Sequence, residues 1–208
     1  MLRVGLTGGI ACGKSTVAAM MRELGCHVLN ADQMAHRLIE PGQPAYDPVV
    51  REFGRDILDA QGRVARAKLA EIVFSDPARL ARLNAIIHPG VLAELDLELD
   101  RLTRTDPHGV AVVEAALLIE SGYHQRLDRL IVIWCAPEQQ LARLTDPVSG
   151  RGLTPEQARR RIAAQLSLAE MRKAADDEIN CSSGMDLTRR QVTALVERLK
   201  HLAAASKI

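Results

Sequence analysis

Residues 8–16 read GGIACGKST, directly after the apolar run LRVGLT (residues 2–7) and directly before VAAMMREL (residues 17–24). An apolar strand, a glycine-rich turn and an amphipathic helix in that order set G-x-x-x-x-G-K-[ST], Gly8 to Ser15, in the context its chemistry requires. Gly8 and Gly13 admit backbone conformations closed to other residues, so consecutive N–H groups can turn inward on a polyphosphate, aided by the positive end of the following helix. Lys14 then supplies mobile charge for the β- and γ-phosphates, and Ser15 a hydroxyl for Mg²⁺. The competing reading is a plain turn with a solvated Lys14; strand, loop and helix in sequence favour the phosphate site. Cys12 admits two readings, a small residue tolerated in a loop or a thiol whose oxidation blocks nucleotide binding. No Asn/Thr-Lys-x-Asp element for guanine occurs in the 208 residues.

Working outward from this loop, further strand-length apolar stretches recur at 27–30, 109–114, 130–136 and, more weakly, 175–181, separated by helical patterns. This spacing predicts an α/β fold with a central parallel five-stranded sheet covered on both faces. Thr154, Pro155 and Gln157 form a capping-box start, after which Ala158, Ile162, Leu166 and Ala169 recur at helical spacing and predict one helix. Val192, Leu195, Val196, Leu199 and Leu202 mark a terminal amphipathic helix. The long helical stretch between the second and third strands, punctuated by EPGQPAYDP and IIHPG, reads as an inserted substrate-side subdomain.

Composition narrows the function classes. Lys and Arg total 27 against 26 Asp and Glu, so no overall field favours nucleic acid or an anionic membrane, and any anion site must be local. Apolar runs fall short of the roughly 20 residues a bilayer span needs, and no signal-peptide pattern opens the chain, which leads us to expect a cytoplasmic protein. Cys12, Cys26, Cys135 and Cys181 show no zinc-type spacing and read as reduced thiols.

Ligands of open parallel sheets gather at the carboxyl ends of the strands. Asp32 lies just past the second strand and Glu114 ends the third, so both carboxylates are candidates to serve an acceptor hydroxyl and a metal's water shell. For Asp32 the alternative is a helix N-cap, and for Glu114 a solvated strand end. Between 151 and 173 lie six basic residues, Arg151, Arg159, Arg160, Arg161, Arg172 and Lys173, against Glu156 and Glu170, which suggests a lid that closes on the triphosphate. Three adjacent arginines cannot all point at one site, so at most two of Arg159 to Arg161 should act.

Together these residues resemble the dephospho-CoA kinase family, which phosphorylates the ribose 3′-hydroxyl of dephospho-CoA with ATP. The family's LTGGIGSGKSTV is matched by LTGGIACGKSTV, so the resemblance assigns ATP binding to Ala11, Cys12, Gly13, Lys14, Ser15 and Thr16. Its DAD triplet and EPG stand as Asn30-Ala31-Asp32 and Glu40-Pro41-Gly42, which implies that Asp32 is the catalytic base. Its Leu-Asn-x-x-x-His-Pro element places His88 on the acceptor side with Arg66. Its lid pattern Arg-Ile-x-x-Gln begins at Arg161, and Arg143 and Arg151 match basic positions flanking the lid.

The resemblance implies a P-loop, nucleoside-monophosphate-kinase-type fold: a core at about 1–31, 106–145 and 175–208, a CoA-binding helical part at 32–105 and a lid at 146–174. It implies catalysis by Lys14, Asp32 and Arg143, and acceptor binding by Asp32, Arg66, His88, Glu120 and Arg161. Mg²⁺ is expected at Ser15 and, through water, at Glu114, with ATP and dephospho-CoA as partners and no nucleic acid, membrane or obligate protein partner. Departures from the family pattern are Asn30 for Asp, Ala116 for Pro, an insertion DPVS before Arg151, and Cys181 or Asn180 at the adenine-side loop. Kinases of a nucleoside monophosphate or small metabolite, or an inactive nucleotide-binding module, are the alternatives.

Overall fold

The structure, a computed structural model, describes residues 1–148, 150 and 152–205, without the Phe74 side chain. In chain order its elements are β1 (Leu2–Gly8), α1 (Lys14–Glu23), β2 (His27–Asn30), α2 (Ala31–Leu38), α3 (Tyr46–Phe53), α4 (Arg66–Ser75), α5 (Pro77–Thr105), β3 (Val110–Glu114), β4 (Arg129–Trp134), α6 (Pro137–Thr145), α7 (Pro155–Ala163), α8 (Leu168–Lys173), β5 (Asp177–Asn180) and α9 (Met185–Ala205). The strands form one sheet of order β2-β3-β1-β4-β5, and β1 pairs parallel with β3 and with β4, as β4 does with β5. The five expected strands are these five.

Alternation along the strands explains the layers. Leu2, Val4 and Leu6 of β1, with Val110, Val112, Ile131, Ile133 and Ile179 from its neighbours, meet Val17 and Met21 of α1 and Val192, Leu195, Val196 and Leu199 of α9 in one core. Each fully buried Leu, Ile or Val contributes on the order of 1.5–3 kcal/mol. On the other face Leu118, Leu127 and Leu130 close over Gly5, and α8 packs against β4. A sheet buried on both faces accounts for the continuous apolar runs of β3 and β4.

The chain divides into two compact units, residues 1–29 with 101–208, and residues 30–100. The sheet belongs to the first. The second is helical, and Met34, Leu38, Val49, Phe53, Leu69 and Leu95 are among its buried residues.

Three expectations are corrected. The stripe from Ala158 to Ala169 is two helices: α7 ends at Ala163, and Ser167 caps α8 by accepting from Glu170 N–H. Helix α5 runs unbroken through Pro89, where IIHPG suggested punctuation; the surrounding turns carry it past the one lost N–H donor. In α9, Leu202 is exposed and Ala203 takes the buried position. Among the described residues, no helix is long and apolar enough to cross a membrane.

Candidate active site

Close approach at one end and a positive φ at the other explain the glycines of the phosphate loop. A Cβ on Gly8 would lie 2.1 Å from the Ile133 carbonyl oxygen across the β1–β4 ladder. Gly13 has φ +102°, in the region L side chains rarely adopt, and is the N-cap of α1. Among the described residues no side chain caps α1, and its first turn carries no acidic residue. The start of α1 is therefore a candidate anion site.

Glu114 is brought to this loop by register. It pairs with Leu6 of β1, two residues before Gly8. The solvated-strand-end alternative is overturned, because Glu114 is only 2% exposed. A buried carboxylate needs partners: Ser15 Oγ donates to Glu114 Oε1 at 3.1 Å, and Lys14 Nζ lies 3.7 Å from the same oxygen. Among the described residues no cluster of three or more His, Cys, Asp or Glu side chains could hold a metal. The Ser15 hydroxyl backed by Glu114 is instead a sparse hard-oxygen set, which fits an ion such as Mg²⁺ that keeps its waters and arrives on substrate phosphates.

Around the loop, polar side chains hold backbone. The Ile10 N–H donates to Gln165 Oε1 at 2.7 Å, and the Ile10 carbonyl accepts from Gln140 Nε2 at 2.8 Å. Arg143 donates through Nη1 to the Ala11 carbonyl at 3.2 Å and through Nη2 to the Cys181 carbonyl at 3.1 Å, spanning the phosphate loop and the loop after β5. Glu120 Oε1 accepts from the Leu166 N–H at 3.4 Å, which ties the segment after β3 to the α7–α8 connection. On α7, Arg159 and Arg160 are exposed, Arg160 pairs with Glu156 at 2.7 Å, and Arg161 is the half-buried member of the three. Arg151 lies outside the described residues.

The second unit carries the remaining candidates. Asn30, not Asp32, caps α2: its side chain accepts from the Gln33 N–H at 2.8 Å. Asp32 follows in the first turn of α2. Arg66 opens α4 and lies 3.8 Å from Glu40. His36 stands among these groups: burial, then the charge of Arg66, pulls its pKa below the usual histidine range, against Asp32 and Glu40. His88, in α5, is lowered by burial alone. His36 was not singled out from the sequence, although its spacing of four from both Asp32 and Glu40 was the available signal.

Comparison with known proteins then bears on the arrangement. The family model for dephospho-CoA kinase matches residues 2–186. The chain is 45% identical to the dephospho-CoA kinase of Methylococcus capsulatus over 205 residues, covering 99% of this chain and all of the relative, and 44% identical to that of Geobacillus kaustophilus over 197 residues, covering 95% and 96%. A solved structure of dephospho-CoA kinase from Campylobacter jejuni superposes with a TM-score of 0.70 at 26% identity, covering 96% and 97%. The chain belongs to the dephospho-CoA kinase family. It is thus an enzyme of the kinase class with a P-loop kinase fold.

Within the dephospho-CoA kinase motif, Ala11 stands where LTGGIGSGKSTV has glycine, and it adopts φ +61°, the left-handed conformation a glycine would take freely. Asn30 keeps the capping function open to the aspartate it replaces, since either side chain accepts from an N–H two or three residues on. Gln140, which the sequence alone did not mark, braces the loop from α6; only its position one turn before the expected Arg143 hinted at a shared face.

Proposed function

We propose that the chain transfers the γ-phosphoryl group of ATP to the ribose 3′-hydroxyl of dephospho-CoA, giving coenzyme A and ADP, the last step of coenzyme A biosynthesis, in the cytoplasm. The observation that carries this reading is the extent of the family match, residues 2–186, which takes in the acceptor half as well as the phosphate loop. The loop alone would suit any P-loop kinase.

In this reading the amides of residues 11–16 and the Lys14 ammonium hold the triphosphate. Mg²⁺, when bound, neutralises phosphate oxygens, and Ser15 with Glu114 behind it would hold the ion and its water. Asp32 orients the acceptor hydroxyl and accepts its proton; the assignment of the α2 cap to Asn30 supports a role for Asp32 other than capping. Residues 32–105, with Arg66 and His88, bind the acceptor, and residues 146–174 form the lid. Glu120 and Arg161 act at the lid's acceptor side, while Arg143 joins the phosphate loop to the loop after β5 and steadies the moving phosphoryl group.

A coupled ATP-consumption assay offering dephospho-CoA beside nucleoside monophosphates tests the reading; consumption driven equally by acceptors lacking the pantetheine arm refutes it. Phosphoryl transfer depends on positioning and charge, so Asp32→Asn should retain ATP affinity and lose roughly 10²–10³ in turnover. Turnover within a few-fold of the parent removes Asp32 from the chemistry.

A further inference from the structure

Three of the four cysteines stand at the carboxyl edge of the sheet. Cys135 directly follows β4, Cys181 directly follows β5, and Cys12 lies in the phosphate loop after β1. Register brings two of them together: Gly8 pairs with Ile133, so the residues four past Gly8 and two past Ile133 converge. The Cys12 and Cys135 sulfurs are 3.2 Å apart, closer than ordinary sulfur contact, and 123 residues apart in sequence. A disulfide needs about 2.05 Å, a closure of about 1.1 Å.

The two ends of that closure are unequally held. Cys135 extends a strand paired on both sides, and the next N–H, of Ala136, donates to Ser182 Oγ at 2.9 Å. Cys12 lies in a turn where its N–H donates to the Gly9 carbonyl at 3.1 Å and its neighbour Ala11 has positive φ. Closing the gap therefore moves the loop rather than the strand, and displaces the adjoining amides that run from Gly13 into α1.

We propose that Cys12 and Cys135 are a redox modification site: oxidation by a hydroperoxide joins them in a reversible disulfide that draws the phosphate loop off its nucleotide-binding geometry. Cys135 attacks first, because the contact between the two sulfurs and the nearby Arg143 charge favour its thiolate, whereas the same contact and burial hold the Cys12 thiol protonated. The thiolate sulfur takes one peroxide oxygen as the O–O bond breaks, giving a sulfenic acid and hydroxide. Cys12 sulfur then attacks the sulfenic sulfur, the S–S bond forms, and the displaced hydroxyl leaves as water with the Cys12 proton. With hydrogen peroxide the proton released as the Cys135 thiolate forms neutralises the hydroxide, and the sum is two thiols and one hydrogen peroxide to one disulfide and two waters. A dithiol reductant reverses it. Both thiols are nearly inaccessible, 2% and 1% exposed, so the peroxide enters when the loop opens. ATP seated in the loop holds it closed, and by linkage whatever the disulfide takes from ATP affinity, ATP takes from disulfide formation.

The function proposed above rests on the same loop, so the test reads ATP binding rather than transfer. The full chain is titrated with hydrogen peroxide, peptide-mapped without reduction, and assayed for ATP affinity before and after dithiothreitol. The expected result is a Cys12–Cys135 cross-linked peptide, at least a tenfold loss of ATP affinity recovered on reduction, and slower cross-linking under saturating ATP. Cys135→Ala should bind ATP as the parent does and lose the peroxide response. Oxidation without this cross-link, a cross-link to Cys26 or Cys181 in its place, or a cross-linked protein with unchanged ATP affinity overturns the inference and leaves the kinase reading standing. ATP binding that switches with the cross-link, in a protein inactive on dephospho-CoA, does the reverse. A reduced chain that binds no ATP sinks both.

Discussion

Ala11 is the one non-glycine among the described residues with positive φ, at +61°. A left-handed conformation costs an L residue roughly 1–2 kcal/mol, while replacement by glycine costs the folded state about 0.4–1 kcal/mol through the freer unfolded chain. Relief matches or exceeds the penalty, so Ala11→Gly should leave unfolding free energy unchanged or raise it by up to about 1.6 kcal/mol, against the usual alanine-to-glycine effect; a clear loss in urea denaturation refutes this. Glu114 gives a second residue-scale prediction. Its carboxylate, 3.7 Å from Lys14, lies beside the site proposed for an anionic tail. Glu114→Gln removes a like charge from that tail, so ATP should bind at least as tightly without Mg²⁺ as it does to the parent, while turnover with Mg²⁺ falls by roughly 10². Weaker metal-free binding with turnover preserved would contradict the role given to this carboxylate. Gly8 and Gly13 were legible because a close approach and a positive φ demand that residue type. The burial of Glu114 was not, because it depends on a strand register that no local pattern encodes.

At the scale of elements, the cap at Thr154 was legible in the sequence and those at Asn30 and Ser167 were not. The Thr154 box formed as read: Gln157 N–H donates to Thr154 Oγ1 at 3.2 Å and Thr154 N–H to Gln157 Oε1 at 3.0 Å. The stripe on α7 runs on past the end of the helix because Leu166 and Ala169 keep helical spacing across the break, and the deciding signal is the second cap, Ser167 with Glu170 three residues later. Pro89 misled in the other direction, since one lost hydrogen bond does not end a helix of 29 residues whose remaining turns are intact. Strands were read correctly because a sheet covered on both faces writes its strands as continuous apolar runs. Thr154→Ala should cost about 1 kcal/mol, confined to α7. Native-state hydrogen exchange should show faster opening at Ala158 and the amides that follow, with β1 and β4 unchanged; a matching loss of protection in the sheet would mean that α7 is not an independent opening unit.

At the scale of the whole chain, charge is balanced but its response to pH is not. Within residues 30–100, His36 and His88 both titrate below the ordinary histidine value near 6.5, chiefly through burial. A group whose folded pKa is depressed binds fewer protons folded than unfolded between the two values, so stability there rises with pH. The contribution is complete above about 6.5 and is lost as pH falls towards the folded values. The depressed carboxylates act in a separate window. Asp59, held by the Arg63 N–H, and Glu170, held by the Ser167 hydroxyl, contribute above the ordinary carboxylate range near 4 and lose it below. Acidification from pH 7 to 5.5 therefore reaches the histidine window first. Thermal unfolding should begin at lower temperature across that interval in the parent, and the slope should flatten in the double variant His36→Gln, His88→Gln. A parent profile level from pH 7 to 5.5, or a double variant as steep as the parent, would show that neither ring is kept neutral by folding.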